Sequence, residues 1–99
     1  MTLATAPETH RAEFVVEDIT TGVFANGFGH LGDGRTFAFH LHRGRLEVEI
    51  YRARLARPVP LPEDVVAVAI RNLTDLDIDD ERSLAAAVRD AIADAVPVR

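Results

Sequence analysis

A chain of 99 residues, 47% apolar and 27% charged, has material for one globular domain and for no second core. At that size folding buries roughly 65% of the surface of the unfolded chain, enough for an independent core with little margin. Cysteine is absent and all eleven basic residues are arginine, which excludes disulfides, thiolate catalysis, Cys-type zinc sites and any P-loop or Schiff-base lysine.

The net charge of −5 is unevenly spread. Residues 1–33 hold five acids against one arginine. Residues 34–57 hold six arginines against Glu47 and Glu49, and residues 58–98 hold nine acids against three arginines. A basic segment therefore sits in an acidic chain, a layout that suits a partner or attraction between the chain's own parts. No apolar run approaches the ~20 residues needed to span a membrane, and Met1–Arg11 lacks the basic-then-apolar order of a signal peptide. These features point to a cytoplasmic protein with no membrane contact.

In chain order, residues 1–12 have no periodicity and read as a disordered tail before a single domain over 13–96. The run EFVVEDI from Glu13 is rich in β-formers and predicts a first strand. TGVFANGF is either a second strand or a continuation past a bend at Thr21-Gly22. NGFGHLGDG (26–34) holds four of the six glycines and is expected to be a loop. Within it, Gly27-Phe28-Gly29-His30-Leu31-Gly32 matches a dinucleotide-binding pattern literally. That fold needs a helix to begin inside the motif, whereas a strand follows at Thr36, so a phosphate cradle is not expected.

FAFHLHRGRLEVEIY (37–51) reads as a hairpin about Arg43-Gly44. With a two-residue turn, Leu41 faces Leu46, Phe39 faces Val48 and Phe37 faces Ile50 on one side. His42 then faces Arg45, His40 faces Glu47 and Ala38 faces Glu49 on the other. A one-residue slip would spoil both faces, so the pattern selects this register.

Strands are thus expected within 13–55, followed by a stiff connector over 56–61 with prolines at 58 and 60. Pro62-Glu63-Asp64 suits the start of a helix, and Val66, Ile70 and Leu73 form one stripe of a helix over 62–73, despite its β-branched content. Asp79 or Asp80 can cap a second helix over 80–95, with Leu84, Val88, Ala91, Ile92 and Ala95 on one side and Pro97 as its stop. The predicted class is α+β: an antiparallel meander of three to four strands followed by two helices packed on one face.

Three functional readings follow. DLDIDDE (75–81) imitates the start of a calcium loop, but Asp80 replaces the glycine and Ala86 the final glutamate, so an acidic linker is expected. His40, His42 and Glu47 share one face of the hairpin and form a weak candidate metal triad. H-x-H followed by Glu resembles the ligand set of cupin barrels, a barrel that 99 residues with a helical second half cannot build. Ser83 is the single serine and has no histidine near it in sequence, so no catalytic residue and no cofactor is assigned.

The favoured reading is a non-catalytic cytoplasmic domain that acts by protein–protein contact, as a homodimer. Its expected contact surface is His40, His42, Arg43, Arg45, Arg52 and Arg54. The alternative is a nucleic-acid or ribosome-associated accessory protein that uses the same arginines.

Overall fold

The computed structural model describes residues 14–55, 58–73 and 78–98. The expected tail over 1–12, the start of the connector at 56–57 and the acidic stretch at 75–77 lie outside the described residues. Six strands follow one another in chain order across a single antiparallel sheet. They are β1 (Phe14–Thr20), β2 (Asn26–Leu31), β3 (Thr36–His42), β4 (Arg45–Tyr51), β5 (Val65–Asn72) and β6 (Val96–Pro97). One helix, α1 (Glu81–Ala93), lies between β5 and β6 in the chain and packs on one side of the sheet.

This corrects the expectation of three to four strands and two helices. Of the expected helix over 62–73, only Pro62–Asp64 turns, as a single 3-10 turn; Val65–Asn72 is a strand paired along its whole length with β4. The stripe of Val66, Ile70 and Leu73 fits a helical period, but β-branched side chains suit the pleated surface better, and β4 offers a neighbour for them. On this strand the inward positions are Ala67 and Ala69, both buried. They are too small to mark a period of two in the sequence, and they leave room for α1 to approach.

The second correction concerns 26–34. Most of the expected loop is strand β2, and only the residues after Leu31 form the turn. Gly27 and Gly29 are inward positions of that strand, directly opposite Phe39 and Phe37. A Cβ on Gly27 would stand 2.7 Å from the Phe39 ring and would collide with the Asp18 carbonyl oxygen. One on Gly29 would stand 2.7 Å from the Phe37 ring and would collide with the Val15 carbonyl oxygen. The glycines are therefore spaces for two phenylalanine rings and for β1, and a loop has no part in them.

The hairpin register is as the pattern required. His42 pairs with Arg45, His40 with Glu47, Phe39 with Val48 and Phe37 with Ile50. Arg43 (φ 54°) and Gly44 (φ 75°) both adopt left-handed backbone, the mark of a type I′ turn, whose twist matches the flanking strands.

The core lies between the inward face of the sheet and α1. Phe37, Leu46, Val48 and Ile50 from the hairpin meet Leu84 and Val88 of the helix, all six almost completely buried. Each such side chain contributes about 1.5–3 kcal/mol relative to exposure. Along α1 the buried residues are Leu84, Ala87, Val88 and Ala91, the i, i+3, i+4, i+7 stripe expected of a helix lying on a sheet. Asp80 precedes it with extended backbone. The Ser83 hydroxyl donates to Asp80 Oδ2 at 2.6 Å, which holds that carboxyl below its usual range.

Strand β1 carries a bulge between Val16 and Asp18. Because of it, Val16 and Ile19, three apart, both pack towards the core, while Phe14 stacks on Phe37 with ring centroids 5.3 Å apart. The opposite edge is short: β6 has two residues, one of them Pro97, and pairs only with Ala67 and Val68. Among the described residues no helix is long and apolar enough to cross a membrane.

Candidate functional site

Among the described residues α1 packs on one face of the sheet, and the other face is covered only at its Tyr51 end, where Pro60, Leu61 and Pro62 lie beside Glu49 and Tyr51. Cross-strand pairing arranges its residues in rows. One row runs Asp18, Phe28, Ala38, Glu49, Val68 and Val96 from β1 to β6. The next runs Thr20, Asn26, His40, Glu47 and Ile70. A third carries His42, Arg45 and Asn72 at the end nearest the Arg43-Gly44 turn.

Several charged groups of this face pair within it. Glu47 reaches His40 Nε2 at 3.1 Å through one oxygen and accepts from Arg45 Nε at 3.0 Å through the other. Glu17 meets His30 Nδ1 at 2.6 Å across the β1–β2 pair. The Tyr51 hydroxyl donates to Glu49 Oε1 at 3.0 Å. Burial of its ring, and then the Glu49 carboxylate beside it, push the Tyr51 phenol up to about 12. Such contacts are individually modest, about 0.2–1 kcal/mol at exposed positions.

Apolar side chains occupy the ground between these pairs. Phe28 is 48% exposed, Ile70 64% and Val96 63%, with Ala38 and Val68 half-buried between them. A sheet in water usually presents polar residues on its uncovered side. Three large apolar residues left open in two adjacent rows of one face are the departure that marks this surface. They escaped detection in the sequence because Phe28 lay in an expected loop and Val68 and Ile70 in an expected helix. The available signal was the run of β-branched residues from Val65 to Ile70.

The expected contact residues do not form one patch. His40, His42, Arg43 and Arg45 gather at the β3–β4 turn, all exposed. Arg52 and Arg54 lie beyond the other end of β4, seven residues along, a separation of about 23 Å from Arg45 to Arg52. Arg52 is committed to the fold there. Its guanidinium meets Asp64 Oδ1 at 2.7 Å, and its N–H donates to the Asp64 carbonyl at 2.9 Å. Asp64, 3% exposed, also accepts from the Leu61 N–H at 2.8 Å and so closes the 3-10 turn. The arginine-rich segment is thus split into a turn end and a far end, with Arg45 and Arg52 each holding a carboxylate. A continuous basic stripe for a polyanion is not formed by these residues.

For the weak metal triad, the structure brings Glu47 to His40 and Arg45. Among the described residues, no three His, Asp or Glu side chains are arranged to hold a metal ion. Ser83, the only serine, donates to Asp80.

The chain matches no family model, no curated protein and no solved structure.

Proposed function

We propose that this chain is a non-catalytic cytoplasmic domain that works by protein–protein contact through the uncovered face of its sheet. The observation that carries the reading is the apolar ground of that face: Phe28, Ile70 and Val96 lie open on β2, β5 and β6 with Val68 half-buried beside them, while α1 closes the other side. Apolar surface in water is costly, and its burial is the main favourable term in protein association. The His40–Glu47–Arg45 and Glu17–His30 pairs lie among these residues, with His40 and Glu47 on the two central strands, and would give such a contact its register. The turn end with Arg43 and His42 adjoins them and keeps part of the surface anticipated from the sequence.

A photo-reactive amino acid placed at position 28 in the expressing cell tests this directly. Irradiation is expected to give a discrete protein adduct, with none from the same group at Arg89 on the exposed side of α1. Irradiation at 28 that yields no adduct with any polypeptide would sink the reading.

A further inference from the structure

We infer that the outer edge of β1 is a second contact site, which takes an extended basic segment of another polypeptide as an added strand. It differs from the sheet face in place and in chemistry, and it stands without that reading.

Among the described residues β1 is the outermost strand on its side, and its outer edge has no strand beside it. The Val15 and Asp18 carbonyl oxygens point towards β2, where a Cβ on Gly29 or Gly27 would meet them. Backbone groups alternate sides along a strand, so those of Val16 and Ile19 turn outward to the open edge. The other end of the sheet offers only the two residues of β6, one of them Pro97, whereas β1 offers seven.

A groove runs beside this edge on the inner side of the sheet, lined by Val16 and Ile19 of β1 and by Glu81, Arg82 and Ala85 of α1. The helix covers Val16 and Ile19 only in part, and both stay half-buried. Residues directly opposite one another in a ladder point to the same face. The residues of an added strand that pair with Val16 and Ile19 would therefore enter the groove and complete its cover, which calls for apolar side chains. Strand addition of this kind draws affinity from main-chain hydrogen bonds and specificity from alternate side chains.

The charges choose the rest of the occupant. On the outer side the bulge sets Glu17 and Asp18 next to each other, both exposed. Glu17 meets His30, but among the described residues neither Asp18 nor Glu81 has an ion-pair partner. The cation of the groove, Arg82, acts on Asp80. The outward side chains of an added strand thus meet carboxylates, and basic residues fit them. The same acids turn away a second copy: antiparallel pairing of two β1 strands would set Glu17 and Asp18 against their counterparts, and Phe14–Thr20 holds no basic residue. A bulge and charges are the devices that blunt an edge against unselective pairing, and here they leave it open to a complementary strand.

The test is an NMR titration of the full labelled chain with three end-blocked peptides: Thr-Val-Arg-Val-Arg-Val-Thr, its double glutamate version, and a version with proline for the central valine. The arginine peptide is expected to shift Val16, Ile19 and Ala85 and to slow amide exchange at Val16 and Ile19. It should bind roughly fivefold or more tighter than the glutamate peptide, and weaken as sodium chloride rises, while the proline peptide loses binding. Asp18→Arg should reverse the preference between the two charged peptides; if that substitution disturbs the fold, the order of the three peptides on the wild type decides. An arginine peptide that binds no tighter than the other two overturns the inference, and so do shifts centred on Phe28 or on Arg89. Slow exchange at Val16 and Ile19 in the free chain overturns it as well, because the edge would then be covered by the chain itself or by a second copy.

Discussion

Replacing Gly29 by alanine should damage this fold far more than the removal of a glycine from a strand normally would. In a strand with room for a methyl group, Gly→Ala stabilises by about 0.4–1 kcal/mol, because the unfolded chain loses freedom. Here the new Cβ would stand 2.7 Å from Phe37 Cζ and 3.0 Å from its Cε2, and would collide with the Val15 carbonyl oxygen. The ring cannot step aside, because Phe37 is 1% exposed and stacked on Phe14. Overpacking of this kind costs about 1–3 kcal/mol, and shifting β1 off its pairing adds about 1 kcal/mol for each ladder bond weakened. A loss of about 3–4 kcal/mol results, a large share of the 5–15 kcal/mol of a typical domain.

At about 4–8 °C per kcal/mol for a chain of this length, the thermal midpoint should fall by about 15–25 °C. Gly32→Ala is the matched control. Gly32 is exposed, its φ is not left-handed, and its midpoint should move by no more than a few degrees. The assay is a circular dichroism melt of the three proteins side by side. A Gly29→Ala midpoint equal to or above the wild type would refute the claim that β1 and Phe37 close over this glycine.

Three more outcomes follow from the same structure. Tyr51 is the only tyrosine and there is no tryptophan, so absorbance at 295 nm follows its ionisation without interference. The midpoint is expected at about 12 in the folded chain against 10.0 for an unperturbed phenol, and Glu49→Gln should lower it towards 10. The neutral phenol is the form the fold favours, so its contribution to stability is whole below about pH 10 and is lost as pH climbs towards 12. A folded-state midpoint at 10 would refute the Tyr51–Glu49 bond and the burial of the ring together. Among the described residues the buried hydroxyl oxygen of Thr36 has no hydrogen-bond partner, so Thr36→Val should raise stability by about 1 kcal/mol in urea denaturation, and a loss would contradict that placement. Arg43 holds φ 54° in the type I′ turn, and Arg43→Asn should stabilise the hairpin by about 0.5–1 kcal/mol, read as a shifted denaturation midpoint with an unchanged slope.

How much of this was legible in the sequence depended on whether side-chain size marked the period. In β3 and β4, large apolar residues alternate with polar ones on both strands, and a two-residue turn is the one solution that satisfies both faces; the observed pairing is that solution. Helix α1 was legible for the same reason, its stripe from Leu84 to Ala91 being bounded by acids and arginines. The pattern failed where the inward residues are small. Gly27 and Gly29 in β2, and Ala67 and Ala69 in β5, carry no visible alternation, because their task is to make room for phenylalanine rings or for the helix. Strand β6 is two residues long and is set by its place beside β5, which no local pattern encodes.

The candidate surface divided along the same line. Its charged members, His40, Glu47 and Arg45, lie on the strands whose register was readable. Its apolar members, Phe28, Val68 and Ile70, lie on the strands that were not. The far arginines, Arg52 and Arg54, looked adjacent to the hairpin only because sequence distance hides the length of a strand.

The most direct test of the central claim is a pair of amide and methyl NMR spectra of the uniformly labelled wild type, recorded alone and in extract of the expressing cells. Contact through the sheet face predicts shifts or broadening at Phe28, Ala38, Val68 and Ile70 and at the His40–Glu47 pair, with the exposed side of α1 around Arg89 unmoved. Spectra unchanged by the extract, or changes centred on α1, would contradict it.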